Sequence, residues 1–590
     1  MRFAGSEAPK LHELPGAKNG PLPDEDALPL HAKPVTGTID YDALRNLPAA
    51  NEAVKNHARS ALQWTSDPSR YTALLMHGRC HNNRKGQCRL PDPDLEIMMA
   101  LRKYEAAESI WAVGRAFTVP EWAKRRRRPV YEPYVNDFFS QVPTVAFRSR
   151  EKRLSLVRRF VGGWAATIDF AAYYDQFSLA PAVRPFFGLR TRKGLLQATT
   201  LPMGFRASCA VAQWATWLIT DLPARDDVEI MTYIDNVMVV AKTQTAVKQT
   251  MDLITERCKR VGVIINDAEK PCRPSQYVEF LGEQLDLRKG TVSLAPKTTE
   301  KIRVVREWAE SFTPSGDWMS LPASNRQVTA VISLLLFASY VLGISTVPYY
   351  EAMIAYRRAC HAGSLGKWET KHEAIRSSTW ANILRWIHRA AANTPRQLPT
   401  GEERPIDHLI FVDASALGWG AVIVTNGQTS VISERWPAHL LPFMTSSVSA
   451  EPEALVRAVL ATCTAQTKRV LVVSDHQPLV FAAARPHRAA IAWAYNHALL
   501  RLEKNLPDVQ VSLEFVPGWL NIADKPSRGF KPSERDIQIA KEKEKQIREK
   551  AENGKTGKSP EGVKNSPEWA QTALNPTRAR RDIGIGFCTG

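Results

Sequence analysis

Four times along this chain a short apolar, β-branched run ends on an aspartate: Ala166-Thr167-Ile168-Asp169, Met231-Thr232-Tyr233-Ile234-Asp235, Leu409-Ile410-Phe411-Val412-Asp413 and Leu471-Val472-Val473-Ser474-Asp475. Runs this short fit buried strands better than helices. A carboxylate at the exit of a buried strand must be solvated, paired or neutralised by a cation, because burying it alone is costly. Between these runs the pattern is helical, as in KIRVVREWAESF and EAIRSSTWANILRWIHRAA within 298–393. The fold class expected is α/β.

The 590 residues allow three to four domains at roughly 150 residues each. Hydrophobic residues at 44% and charged residues at 23% exclude wholesale disorder. Lys and Arg number 78 against 60 acids, a net +18 that points to a polyanionic partner, nucleic acid first and an anionic membrane surface second. Eight cysteines are too few for a disulfide scaffold, and Cys80 with Cys88 has no second pair to complete a zinc set. The start lacks an apolar signal segment, so a reducing compartment, cytoplasmic or nuclear, is expected. The run 330–347 is barely bilayer length and is broken by Ser333, Ser339, Gly343, Ser345 and Thr346, so it reads as a buried helix of a soluble chain with no membrane partner.

Organisation follows from these shifts in character. Residues 1–60 are rich in Pro, Gly and Ala and read as a flexible leader. Residues 61–295 form a first globular unit, 296–400 a helical region ending in the linker TPRQLPTGEERP, and 401–530 a compact second unit. Residues 531–590 read as a basic, largely extended tail carrying one Lys/Glu-rich helix, Glu534 to Glu552. No internal repeat is present.

Three pieces of the first unit occur in order. Asp169 ends a strand and is followed by Tyr173 and Tyr174; Leu201-Pro202-Met203-Gly204-Phe205-Arg206 is a tight turn feeding a helical run; and EIMTYIDNVMVVA reads as two strands meeting at an Asp235-Asn236 hairpin tip. Taken singly, each has an ordinary structural explanation. Together, two strand-end carboxylates in adjacent hairpins can hold two divalent cations for in-line phosphoryl transfer.

This ordered set resembles motifs A, B and C of a reverse transcriptase palm. The basic run Lys124 to Arg128 resembles the fingers segment that grips an incoming triphosphate, and it also suits a nuclear-localisation patch or a solvated face. The Val261 to Lys270 run resembles motif D, and Phe280-Leu281-Gly282 the primer grip. The resemblance implies that Asp169 and Asp235 are catalytic metal ligands. It implies nucleotide contacts at Lys124, Arg127, Arg128, Tyr174, Met203, Gly204 and Lys270, with Tyr174 closing the sugar pocket against a 2′-hydroxyl. There are two departures. Asn236 stands where most of the family has a second aspartate, which removes one negative charge. Met203 stands where Gln or Phe is frequent.

In the second unit Asp413, Glu451, Asp475 and Asp524 recur at the ends of regular elements, and four converging carboxylates repel unless cations neutralise them. Glu451 is read as opening a helix, with Pro452 in its first turn. The order of the acids, and the closing pattern Pro517-Gly518-Trp519-Leu520-Asn521-Ile522-Ala523-Asp524 through Ser527-Arg528, resemble a retroelement ribonuclease H of the long-terminal-repeat and DIRS-like tyrosine-recombinase group. Trp519 and Leu520 fill the region where retroviral enzymes carry a His. Glu453 is a second acid nearby, but Glu451 has the required spacing to Ala454.

The resemblance implies fingers, palm and thumb followed by a ribonuclease H-like mixed α/β domain. It implies Mg²⁺, two ions per active site with Mn²⁺ as substitute, bound by Asp169 and Asp235 in one site and by Asp413, Glu451, Asp475 and Asp524 in the other. The expected partners are an RNA template, a DNA primer, an RNA–DNA hybrid and dNTPs, held largely through phosphates. No protease, integrase or recombinase signature accompanies these motifs, and the abrupt, Gly-rich ending suggests one piece of a larger element or a truncated copy. The competing expectation, favoured by Asn236, is an inactive relic or a recruited nucleic-acid-binding scaffold.

Overall fold

The computed structural model describes residues 27–72, 88–121, 125–137, 142–143, 145–266, 272–312, 316–321, 323–399, 405–484 and 493–555, and is mixed α/β as expected. Residues 27–60, expected to be a flexible leader, are folded. α1 (Tyr41–Arg45) is capped by the Asp40 side chain and α2 (Glu52–Leu62) by Asn51. Leu44, Leu47, Val54 and Ala58 are buried in the core of the first unit. These few apolar residues could not close a core by themselves, but they complete one that is already there.

β1 (Gly114–Glu121) and β2 (Arg126–Pro133) form an antiparallel hairpin. After α3 (Arg150–Arg158) come β3 (Trp164–Asp169), α4 (Ser208–Thr220), β4 (Val228–Tyr233), β5 (Asn236–Ala241) and α5 (Gln244–Arg260). The three strands pair antiparallel in the order β3-β5-β4. Central β5 explains its own continuous apolar sequence. Val237, Val239 and Ala241 face α4 and α5, while Met238 and Val240 face a second core. Side chains alternate across a strand, so a strand covered on both faces is apolar throughout.

That second core is built by β6 (Tyr277–Phe280), β7 (Glu283–Asp286), β8 (Thr291–Leu294) and four helices: α6 (Pro296–Glu310), α7 (Asn325–Leu342), α8 (Tyr350–Ser364) and α9 (Ser377–Ala391). α7 begins at a reciprocal capping box between Ser324 and Gln327 and stops at Gly343, whose φ of 69° terminates a helix at little cost in glycine. Among the described residues α7 alone is long and apolar enough to cross a membrane, and 56% of it is buried in this core. The expected linker is folded in its first part. Arg396–Gln397 pairs with β8, and Leu398 is buried.

The last unit holds a five-stranded mixed sheet. β9 (His408–Ala414), β10 (Gly418–Thr425) and β11 (Gln428–Arg435) are antiparallel, while β12 (Arg469–Ser474) and β13 (Gln510–Phe515) add in parallel to give the order β11-β10-β9-β12-β13. α10 (Ser447–Thr462), α11 (Gln477–Ala484) and α12 (Trp493–Asn505) belong to the same unit. Ile410, Val412, Val470 and Val472 face the core shared with α10 and α12. Leu409, Phe411 and Val473 face the other way, against Ala540 of α13 (Glu534–Lys555). The helix expected in a tail beyond residue 530 therefore covers one face of this sheet. The hydrogen bond from Ser345 Oγ to Glu503 Oε1, 2.5 Å, ties α12 to the turn after α7.

Candidate active sites

At the first site, β3 delivers Asp169 beside Asn236, the first residue of β5. The β4–β5 connection is the two-residue turn Ile234–Asp235, not the expected Asp235–Asn236 tip, because Asn236 pairs across with Tyr233. Ile234 sits at φ 54°, a region costly for a β-branched residue. Buried α4 side chains hold it there. Gln213 Oε1 accepts from Ile234 N at 2.6 Å, and Thr216 Oγ1 donates to Ile234 O at 2.6 Å. Phe170 N donates to Asp235 O at 3.0 Å, which pins the turn to the end of β3.

Burial first, and then the neighbouring Asp169 carboxylate, push the Asp235 carboxyl up to about 6. Two asparagines steady the pair. Asn236 Nδ2 donates to Asp235 Oδ1 at 2.9 Å, and Asn266 Nδ2 donates to Asp169 Oδ2 at 2.6 Å. The donor set fits a divalent cation: hard oxygens, excess negative charge, and a raised carboxyl that a positive charge would relieve.

The surrounding contacts sort the expected nucleotide residues. Tyr173 is buried, with its hydroxyl 3.1 Å from Thr216 Oγ1, whereas Tyr174 is half-buried at the edge of the core. Met203 is 47% exposed. Gly204 has no room for a side chain, since a Cβ there would lie 2.3 Å from Tyr131 O, and its own carbonyl accepts from Asn136 Nδ2 at 2.8 Å. Arg127 departs from expectation. It is buried, with Nη1 donating to Asp94 Oδ2 at 2.6 Å and Nε to Leu28 O at 2.7 Å, so it is not available to a triphosphate. The reason is strand alternation: in a basic run on β2, every second side chain points inward. Arg128 pairs with Glu121 at 2.8 Å and remains part-exposed. Lys124 and Lys270 lie outside the described residues.

At the second site, carboxylate oxygens of Asp413, Glu451 and Asp475 lie within 4.8 Å of one another. Asp413 comes from β9, Asp475 follows β12, and Glu451 sits in the second turn of α10, which starts four residues earlier than expected, at Ser447. Pro452 is thus inside the helix, and the carbonyl it leaves without a donor belongs to exposed Val448. Asp524 does not join the three. It is about half exposed and pairs with Arg528 at 2.9 Å, although its charge still reaches Asp413.

Burial, then the charges of Asp413 and Asp475, push Glu451 up to about 9. Burial is also the first cause raising Asp413 to about 6. Glu451 Oε2 is buried without a hydrogen-bond partner, as an oxygen kept for a cation would be. Asn521 Nδ2 donates to Val412 O at 3.0 Å and to Asp475 Oδ1 at 3.1 Å. Gly518 lies so close that a Cβ would meet Asp475 Oδ2 at 3.0 Å. Glu453 is turned away into pairs with Arg457 and Arg501.

Sequence reasoning missed Gln213, Asn266 and Asn521. Asn266 lies inside the Val261–Lys270 run and Asn521 inside the closing pattern, so both were in view without a role. Gln213 had no signal, because its task is to hold a turn in the next hairpin.

The model of the family described as reverse transcriptase (RNA-dependent DNA polymerase) matches residues 130–285. No curated protein matches the chain. Among solved structures the chain is similar to the foamy viral protease-reverse transcriptase in complex with RNA/DNA hybrid, at 14% identity and a TM-score of 0.40, covering 72% of this chain and 53% of that one. It is also similar to the dRH form of that protein with ds DNA, at 14% identity and TM-score 0.39, covering 82% and 84%. A third, the same viral protein with dsDNA, has 12% identity and TM-score 0.38, covering 82% and 98%. The chain thus spans about half the length of the first of these. The stretch that this family model matches, residues 130–285, holds β3, the Ile234–Asp235 turn and both aspartates of the first site.

Proposed function

We propose that the chain is an RNA-directed DNA polymerase of a retrotransposon, linked to a ribonuclease H that degrades the RNA strand of RNA–DNA hybrids. The observation that carries the polymerase reading is the meeting of Asp169 and Asp235 at one sheet end inside the reverse transcriptase domain. The hydrolytic reading rests on the carboxylate triad at the exit of β9 and β12, with one Glu451 oxygen left unsatisfied.

Asp169 and Asp235 would hold divalent cations at the first site, and Asp413, Glu451 and Asp475, with Asp524 at the rim, at the second. Bound there, Mg²⁺ or Mn²⁺ supplies charge neutralisation for phosphoryl transfer and a nucleophile activated near neutral pH. The remaining work falls to the chain's own residues. Tyr174 screens the sugar of the incoming dNTP, and the exposed Met203 and the Gly204 backbone floor its pocket. Arg128, Lys124 and Lys270 are proposed phosphate contacts, and Arg127 is dropped from that set. The net charge of +18 holds template, primer and hybrid by their backbones.

A non-catalytic scaffold is the second reading, favoured by Asn236, whose amide occupies an Asp235 oxygen. Labelled-hybrid cleavage and primer extension on the same preparations decide. Asp475→Asn should abolish cleavage and spare extension. Loss of both with folding intact would mean that the sites are coupled, and absence of both in the wild type would leave the scaffold reading.

A further inference from the structure

We infer that Lys33 is a positioning residue for the first site, acting on Asp169 through Asn266; the inference rests on the polymerase reading of that site. Lys33 Nζ donates to Asn266 Oδ1 at 2.5 Å, Asn266 Nδ2 donates to Asp169 Oδ2 at 2.6 Å, and Asn266 N donates to Asp169 O at 2.8 Å. An asparagine amide has one accepting and one donating end, so its polarity is set by its partners. With an ammonium at the oxygen end, the NH₂ end must face Asp169. A reversed amide would set oxygen against carboxylate and NH₂ against ammonium. Lys33 therefore fixes which Asp169 oxygen is occupied and how the carboxylate is turned.

The placement of Lys33 is built into the fold. Its segment is anchored on one side by His31 N donating to Arg127 O at 2.6 Å on β2. On the other side Gly37 N donates to Asp175 O at 2.8 Å and Ile39 N to Gln176 O at 3.1 Å, on the short turn that also carries Tyr174. Val35 between these anchors is buried. A lone surface lysine meeting an amide is worth little, but here the contact is held from both ends and terminates on a proposed cation ligand. Partners that orient metal ligands typically govern affinity or activity by about 10- to 100-fold.

The test is Mn²⁺ binding by calorimetry to the full chain, with the second site silenced by Asp413→Asn and Asp475→Asn. Lys33→Met should weaken Mn²⁺ binding about tenfold, the lower end of that range. Asn266→Ala should do the same, and the double variant should be no weaker than either single one, as expected for residues in one chain of contacts. Lys33→Arg should stay near wild type, because it still donates. In the unsilenced protein, hybrid cleavage by Lys33→Met should be unchanged, which reports an intact fold. Primer extension should recover at saturating Mn²⁺ with the dNTP KM within about twofold of wild type. The proposal is overturned if Asp169→Asn weakens Mn²⁺ binding while Lys33→Met does not. It is also overturned if Lys33→Met raises the dNTP KM at saturating metal with metal affinity unchanged, which would make Lys33 a triphosphate contact. If Asp169→Asn itself leaves binding unchanged, the reading of the site falls, and the proposal with it.

Discussion

Cation binding at the second site should expel about one proton at pH 7. Glu451 is pushed up to about 9 by burial and by Asp413 and Asp475, so at pH 7 it is essentially fully protonated in the cation-free protein. Asp413, at about 6, carries about a tenth of a proton. A cation held by three carboxylates needs all of them ionised, so binding releases roughly 1.1 protons. The stability consequence has a definite sign. A carboxyl raised on folding keeps its proton in the folded state between its ordinary value and the raised one, so the folded state binds more protons there. The contribution of Glu451 to the stability of the cation-free unit is therefore greatest below about pH 4.5 and falls as pH rises toward about 9, by up to about 1.4 kcal/mol per pH unit. The assay is Mg²⁺ or Mn²⁺ calorimetry in buffers of different ionisation enthalpy, with the first site silenced by Asp169→Asn and Asp235→Asn. The slope of binding enthalpy against buffer enthalpy should be near one proton at pH 7. Glu451→Gln should bring it close to zero and weaken binding. A slope near zero in the Glu451 protein would show that the acid is already ionised, and would refute the reasoning from its burial.

Asn236→Asp adds a negative charge beside Asp235 and removes the amide donor to Asp235 Oδ1, so it should lower the Mg²⁺ concentration needed for extension; an unchanged Mg²⁺ titration would place residue 236 outside the cation's field. Tyr174→Ala should admit ribonucleotides by opening the space beneath the sugar, checked by discrimination between dGTP and GTP. Ending the chain at residue 530 removes α13 from Leu409, Phe411 and Val473, at about 1.5–3 kcal/mol for each large side chain fully re-exposed, so the last unit should melt earlier and hybrid cleavage should fall while extension persists.

The sheet strands were legible because each is apolar for a physical reason. Both faces of β5 and β9 are covered, which leaves runs such as VMVVA and LIFV with no polar interruption. The acids at the strand exits were legible for the converse reason, as charges where apolar sequence ends. Residues 27–60 were not, since Leu44, Leu47 and Val54 contribute to a core supplied by distant segments. Arg127 was misread because its strand turns alternate side chains inward, and sequence adjacency to Arg128 conceals that. Asp524 was expected to converge with the other three acids, but the arginine four residues on competes for it. Lys33 and Asn266 are separated by 233 residues, so nothing local could pair them.

The most direct measurement is primer extension on an RNA template with dNTPs and Mg²⁺ or Mn²⁺, comparing the unaltered chain with Asp169→Asn and Asp235→Asn. Each variant removes a charge from a half-buried pair of carboxylates proposed to hold cations, so the unaltered chain should extend the primer and both variants should lose that activity. Equal extension by all three proteins would contradict the assignment of polymerisation to this site.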